Sequence, residues 1–202
     1  MANTNHDWWA AIDAATSVGS KIGSTTEEFN LACDHIVQLL KDASTLLEQK
    51  SHATATFIAI TVIEETAKVH LGMFRREAKT MPRSKDPLYK HSQKHILALG
   101  PTVAMGSRLQ TAIGDDRIRE FMQLARDGGF ARLREAALYI ENINDNLVSP
   151  KSAITKQTAR ELLLFAIETF DDGLVGYTEY TYSCAEQTDE IFAKWKKHPW
   201  AT

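Results

Sequence analysis

The segment from about Ser51 to Thr80 constrains the fold most, because its apolar residues cover more than one face of the helix that it predicts. A helix that is apolar on one side can lie at a protein surface, but one that is apolar on several sides needs neighbours around it. This segment ends before Pro82 and belongs at the centre of a helical bundle. Its apolar residues are Phe57, Ile58, Ile60, Val62, Ile63, Val69, Leu71 and Phe74.

The rest of the chain is also helical in its periodicity. A stripe at alternating spacings of four and three predicts a helix before the central one, and Thr25–Glu28 at its start has the form of a capping box. A shorter helix is predicted over residues 7–19, and a long final helix over Thr155–Tyr182. No window alternates with a period of two, so we predict an all-α bundle. The stripe consists of Phe29, Cys33, Ile36, Leu40, Ala43 and Leu47.

Short elements separated by proline and glycine are predicted between the central and final helices. Met81–Pro87 predicts a loop, Leu88–Leu99 a short helix, and Pro101–Gly114 a weak helix or irregular chain. Asp115 or Asp116 can cap a helix that reaches Arg126 and ends at the following glycines. The next helix has its stripe at Phe130, Leu133, Ala137 and Ile140, Ser149–Pro150 forms a turn, and Ile191–Trp200 forms a basic tail that contains tryptophan.

The length and composition fit one globular domain. The chain has 202 residues, of which 44% are hydrophobic, and its net charge of −3 argues against a polybasic nucleic-acid binder. Its two cysteines are far apart and match no metal-binding or disulfide pattern. We expect a single domain over residues 1–202, with a core at about 26–182, an N-terminal helix at 7–19 and a C-terminal extension at 184–202.

The N-terminal sequence has no basic region followed by an apolar run, as a secretory signal would have. The longest apolar segment is too short and too interrupted for a membrane span. We therefore expect a soluble, cytoplasmic protein that does not contact a membrane.

The first polar cluster that could carry chemistry lies on the central helix. Glu64 lies beside the apolar stripe, and Lys68 follows Glu64 by four residues and Glu65 by three, the favourable order for helical ion pairs. Such pairs are often solvated surface pairs. In so apolar a helix, however, a partly buried carboxylate needs a cation or hydrogen-bond donors.

The second cluster is Lys90–His95. His91 and His95 are four residues apart, a spacing that can hold a metal, but neighbouring lysines would repel a cation and no HExxH motif is present. A patch of His91, Lys94 and His95 that faces phosphate or RNA is a better interpretation. An ordinary polar helix face is the alternative.

The third cluster is Arg134–Tyr139. The stem of Arg134 can pack on the core while its guanidinium reaches a carboxylate or a phosphate. Tyr139 could present a hydroxyl nearby, although a lone tyrosine is more often a half-buried aromatic. No nucleotide-binding loop or nucleophile elbow occurs, and we expect neither a cofactor nor a metal.

Taken in order, these motifs resemble the AbiV-type abortive infection proteins, a branch of the HEPN superfamily. The resemblance covers roughly Thr26–Tyr182 and depends on order and spacing rather than on any single motif. It rests on Ala59–Lys68, then His91–Lys94, then Arg134–Tyr139, followed by Pro150 and the final helix.

The resemblance implies a four-helix HEPN-like core with additional short helices, a homodimer, and a role in defence against bacteriophage. Many HEPN proteins are metal-independent ribonucleases whose arginine precedes a histidine by four to six intervening residues. This sequence departs from that motif, because the positions at that distance before His91 are Ser84, Lys85 and Asp86.

Two functional hypotheses follow. In the first, the protein is a toxin that targets RNA or translation, with catalytic residues Glu64, Glu65, Lys68, His91, Lys94 and Arg134 and with His95 and Tyr139 in substrate binding. In the second, a non-catalytic helical module binds a phage protein or the translation machinery, and the same charged residues form a structural network. RNA or the ribosome is the expected target, and a phage-encoded protein a possible activator.

Overall fold

The computed structural model describes residues 22–75, Pro82, Asp86, residues 94–99 and residues 107–196. The helix predicted at 7–19, most of the loop at 81–87 and the first half of the helix predicted at 88–99 lie outside these residues. The described chain is helical apart from one small hairpin, which confirms the all-α prediction.

Four long helices of the described chain form a bundle, and shorter helices pack beside it. The long helices are α1 (Thr26–Glu48), α2 (His52–Phe74), α7 (Lys156–Leu174) and α8 (Tyr180–Lys196). The short helices are α3 (Ser107–Ile113), α4 (Asp115–Arg126), α5 (Gly129–Ala136) and α6 (Pro150–Ala153). Helix α2 packs most extensively against α7 and α1, while α8 covers α1 and α7.

Helix α1 follows its predicted pattern. All six residues of its stripe are buried, and Thr25 is the N-cap, accepting a hydrogen bond from the backbone of Glu28. The Glu28 carboxylate accepts from the backbone and hydroxyl of Ser24 rather than from Thr25. The helix start is therefore capped by side chains on both sides of the first turn.

Helix α2 is the central helix, with buried residues on several of its faces. It ends at Phe74 rather than at the predicted Thr80. Arg75 has an extended backbone, with φ −68° and ψ 126°, and its fully buried guanidinium forms two hydrogen bonds with Asp86 at 2.9 and 2.6 Å. The chain leaves the helix there, and the ion pair fixes that exit.

The prediction of a single final helix over Thr155–Tyr182 is wrong, because α7 ends at Leu174 and the chain turns before α8 begins at Tyr180. Val175 is extended and Gly176 has φ +96°, a conformation that glycine adopts without steric cost. The Gly176 amide donates to the Thr181 hydroxyl at 3.0 Å, which closes the turn. Tyr177, predicted on the buried stripe, is therefore half exposed.

Residues 191–196 were predicted to belong to a tail, but in the structure they form the last turns of α8. Ile191 and Phe192 are buried, and the Trp195 indole donates to the Ser44 hydroxyl at 2.9 Å. The C-terminal part of α8 is thus fixed to α1 by packing and by a hydrogen bond.

Two further corrections concern the middle of the chain. Gly114, and neither aspartate, is the N-cap of α4, with Asp115 and Asp116 in the first turn. Ile140, predicted on a helical stripe, is 68% exposed because α5 ends at Ala136.

A hairpin that the sequence analysis missed follows α5. Strands β1 (Glu141–Ile143) and β2 (Asn146–Val148) pair antiparallel, with Asn142 opposite Leu147. Asn144 and Asp145 at the turn both have positive φ, as in a type I′ turn. These residue types tolerate that conformation, so the Asn-Asp pair was the available signal.

Candidate functional site

Glu64 joins the first two predicted clusters. From the middle of α2 its carboxylate contacts Lys94 Nζ at 3.1 Å and His95 Nε2 at 2.9 Å. Both partners belong to the helical residues 94–99. An ionised carboxylate can only accept, so the histidine ring donates to it. The structure thus brings Glu64 together with two adjacent residues that lie 30 and 31 positions later in the sequence.

This Glu64–Lys94–His95 cluster is buried. The side chains of Glu64, Lys94 and His95 are 4%, 6% and 0% exposed. The His95 ring packs edge-on against Phe130 of α5, and its Nδ1 has no hydrogen-bond partner among the described residues. A carboxylate, an ammonium and an imidazole are chemically able to move protons. In this arrangement, however, the Glu64 carboxylate accepts from both Lys94 and His95, and all three side chains are shielded from solvent.

Glu65, the residue after Glu64, forms a separate pair with Lys68 one turn later on α2. The Lys68 ammonium donates to the Glu65 carboxylate at 2.6 Å, and both side chains are about a quarter exposed, at 22% and 24%. This is the helical ion pair that the spacing predicted. It lies at the protein surface, where it is accessible to a binding partner.

Arg134 lies on α5, on the same face as Phe130 one turn earlier. Its guanidinium carbon lies 4.9 Å from the centre of the Phe57 ring on α2, a cation–π contact. The side chain is half-buried, and its Nε has no hydrogen-bond partner among the described residues. The stem of Arg134 packs on the core, as predicted. No carboxylate among the described residues pairs with its guanidinium.

The remaining predicted residues do not join the cluster in the described chain. Tyr139 is 62% exposed beside the hairpin, so it is not the half-buried aromatic that was the alternative. His91 lies outside the described residues. The roles of the predicted catalytic and substrate-binding residues remain predictions.

The sequence analysis missed a cluster around Arg108 of α3. Its guanidinium donates to Glu168 and Asp171 of α7 and to Asp189 of α8. The same group lies 4.3 Å from the centre of the Phe192 ring. Acidic residues within an apolar helix were the signal that singled out Glu64, and the same signal was present in α7.

The Arg108 cluster has more carboxylates than cations, and burial raises the pKa values of several of its carboxyl groups. Burial raises the pKa of Asp171 to about 7, although Arg108 and the Thr188 hydroxyl act in the opposite direction. Burial and the charge of Glu168 raise the pKa of Asp172 to about 6. Burial also raises the pKa of Glu168 above its ordinary value.

Neither a metal site nor a membrane span occurs in the part of the chain that the structure describes. No group of three or more histidine, cysteine, aspartate or glutamate side chains there could hold a metal ion. No described helix is long and apolar enough to cross a membrane.

Comparison with known protein families assigns this sequence to one of them. The sequence model of the AbiV family of HEPN proteins matches residues 26–169. The chain belongs to the AbiV family. No curated protein and no solved structure matches it.

The AbiV match includes all the described candidate residues and excludes α8. It spans α1 to most of α7, so the Glu64–Lys94–His95 cluster and Arg134 lie within the family region. Membership of this family gives the chain a role in abortive infection, the defence in which bacteria limit phage spread.

Proposed function

We propose that this AbiV protein acts in abortive infection as a helical binding module for a phage protein or a component of the translation machinery. Burial of the Glu64–Lys94–His95 cluster is the observation that carries the proposal. A ribonuclease site must admit a phosphate and its ribose, and the side chains of this cluster are at most 6% exposed. Homodimerisation and activation by a phage-encoded protein belong to the same proposal.

Energetics favour a structural role for this cluster. Removing a carboxylate from water costs several kcal/mol, and nearby cations and hydrogen-bond donors offset that cost. Lys94 and His95 supply both, and they attach the helical residues 94–99 to the central helix. Buried polar networks of this kind select one packing arrangement, because every alternative leaves a charge unpaired.

Metal-independent RNA cleavage is the second candidate function, and Arg134 favours it. The half-buried guanidinium of Arg134 lies over the Phe57 ring without a carboxylate partner among the described residues, and Lys68 adds a partly exposed cation on the neighbouring helix. In this mechanism His91 would move the proton at the 2′-hydroxyl, and the cations would stabilise the phosphorane.

Incubation of the pure protein with total bacterial RNA, tRNA and ribosomes, with and without EDTA, tests the two candidates. We expect intact RNA, and co-sedimentation with ribosomes or with a phage protein from infected cells. Metal-independent cleavage that disappears in both His91→Ala and Arg134→Ala would contradict the binding module. Lys151→Ala, which removes an exposed cation on α6, is the matched control.

A further inference from the structure

The exposed lysines that form no ion pair are unevenly placed on the bundle. Five exposed lysines of the described chain have no carboxylate partner, whereas the three other described lysines each pair with a carboxylate. Three of the five lie at one end of the bundle, where α1 and α8 end and α2 and α7 begin. The five are Lys41, Lys50, Lys151, Lys156 and Lys196.

Contacts between the helix ends place three of these lysines together. The Arg160 guanidinium, one turn into α7, donates to the backbone carbonyl of Lys196 at 2.9 Å, so the end of α8 lies beside the start of α7. Burial, and then the charges of Lys156 and Lys50, lower the pKa of His52 in the first turn of α2, so both lysines lie near its ring. We call Lys50, His52, Lys156 and Lys196 the basic end.

The start of α2 adds hydrogen-bond donors to the basic end. Ser51 is at the N-cap position, but its side chain caps no backbone amide and donates to the Thr54 hydroxyl at 3.1 Å. The first-turn amides of a helix point outwards and carry a partial positive charge. His52 Nε2 is buried and has no hydrogen-bond partner among the described residues. Ammonium groups, an imidazole and helix amides are together the donors that bind phosphate oxygens.

The carboxylates of this region do not neutralise the basic end. Glu48 at the end of α1 already pairs with a lysine of α8, and the buried Glu161 pairs with Arg117 at 2.7 Å. The hairpin carries Glu141 and Asp145, and neither forms an ion pair with a lysine of the described chain. The whole chain has a net charge of −3, so its remaining surface is net negative and repels a polyanion.

The chemistry of this surface favours nucleic acid over a protein partner. Protein interfaces contain an apolar core, often with aromatic anchors. No large apolar side chain is exposed in residues 41–56, 155–162 or 186–196, which form the four helix ends. Trp195, the largest of them, packs on the core and donates its indole N–H to Ser44. Contacts with a nucleic-acid backbone need only cations and hydrogen-bond donors.

We propose that the basic end binds the phosphodiester backbone of RNA without reading its sequence. Lys50, Lys156 and Lys196 each neutralise a phosphate, while His52 and the first-turn amides of α2 donate hydrogen bonds to phosphate oxygens. This inference rests on the proposed binding function and names RNA as the part of the translation machinery that this end contacts. The Glu64–Lys94–His95 cluster takes no part in it.

Fluorescence anisotropy of a labelled single-stranded RNA, titrated with the full-length chain at several salt concentrations, tests the proposal. The double variant Lys50→Asn/Lys156→Gln should bind about tenfold or more weakly. The slope of log affinity against log salt should fall in magnitude by about 1.4, because each phosphate contact to a single strand contributes about 0.7. Asparagine suits position 50, where φ is +62°, so the melting temperature should be unchanged.

Two further variants sharpen the test. Lys196→Gln, at the end of α8, should lower the slope by about 0.7 without touching the start of a helix. Lys41→Gln is the matched control, because Lys41 is exposed, forms no ion pair and donates to Gln187 in the body of the bundle. It should leave the slope unchanged. Two RNAs of different sequence should give the same slopes, since no base is read.

Several results would overturn the proposal. They are a slope that the double variant and Lys196→Gln leave unchanged, an equal loss in Lys41→Gln, and no RNA binding by the unchanged chain. Binding of anionic lipid vesicles or of polyglutamate in preference to RNA would assign the basic end to another partner. Ribosome co-sedimentation that survives in the double variant would remove this end from the binding function while leaving that function standing. The binding function fails separately, through metal-independent RNA cleavage.

Discussion

The Glu64–Lys94–His95 cluster and the Arg108 cluster are both made of charged groups between helices, but they differ in balance. In the first, one carboxylate faces an ammonium and an imidazole and is almost fully buried. In the second, three carboxylates surround one guanidinium that is 37% exposed. The first cluster is buried throughout, whereas the second extends from the buried Glu168 to the 58% exposed Asp189. Burial is the main reason why the pKa values of Glu168 and Asp171 are raised.

The largest effect is expected from Glu64→Ala. This change leaves Lys94 buried without its carboxylate, and breaking one side of a buried ion pair costs about 3–5 kcal/mol of unfolding free energy. Chemical denaturation measures it. The control is Glu65→Ala, which removes a partly exposed helical pair worth about 0.2–0.5 kcal/mol. Equal losses in the two variants would show that Glu64 is no more structural than its neighbour.

A smaller loss is expected from Arg108→Met at pH 8. This variant keeps the packing on Phe192 but leaves Glu168, Asp171 and Asp189 without their cation. We expect a loss of about 1–3 kcal/mol, because hydrogen bonds to charged groups are lost at a site that water reaches. The loss should shrink at pH 5, because Asp171, whose pKa burial raises to about 7, takes up a proton. A loss that is independent of pH would contradict the charge imbalance.

The pH dependence of stability should follow Asp171. Its pKa is about 7 in the folded chain and about 3.9 in an unfolded one, so the folded state binds a proton more tightly. The stabilisation that Asp171 contributes is therefore complete below its unfolded-state pKa of about 3.9 and is lost as the pH rises through about 7. We expect the melting temperature to rise as the pH falls from 8 to 5, and Asp171→Asn to flatten that slope. An unchanged slope in Asp171→Asn would assign the effect to other groups.

The smallest effect is expected from Asp172→Asn. Asp172 adds another negative charge beside Glu168, and its Oδ2 has no hydrogen-bond partner among the described residues. Removing the charge should stabilise the chain at pH 8 by less than about 1 kcal/mol, because the group is partly solvated. Thermal melting at pH 8 and pH 5 measures the change in stability, and a lower melting temperature of the variant at pH 8 would contradict the prediction.

Sequence periodicity was sufficient for the bundle and for its central helix. The buried faces of α1 and α2 could be predicted without knowing what packs against them, because the spacing of their apolar residues alone indicates which faces are buried. The breaks were harder to predict. Gly176 ends α7 within an otherwise helical run, and a single glycine does not reveal that the following residues turn back. At the end of α2, Arg75 pairs with Asp86 eleven residues later, a contact that periodicity does not reveal.

The polar clusters could be predicted only as separate pieces. The sequence singled out Glu64, Lys94 and His95, yet nothing in their spacing shows that they touch or that they are buried. Arg108 was missed because its partners come from two other helices, and ion pairs of that kind have no periodicity. Burial and the balance of charge, on which the proposed function rests, are properties of the packed structure.

The most direct test of the non-catalytic role is phage protection by the double variant Glu64→Gln/Lys94→Gln. Both changes remove charge but keep hydrogen-bonding groups of similar size, so the cluster can remain paired and the helices packed. We predict a cooperative thermal transition and phage protection equal to that of the unchanged chain. A variant that folds normally but no longer protects cells would contradict the structural role and return these residues to catalysis.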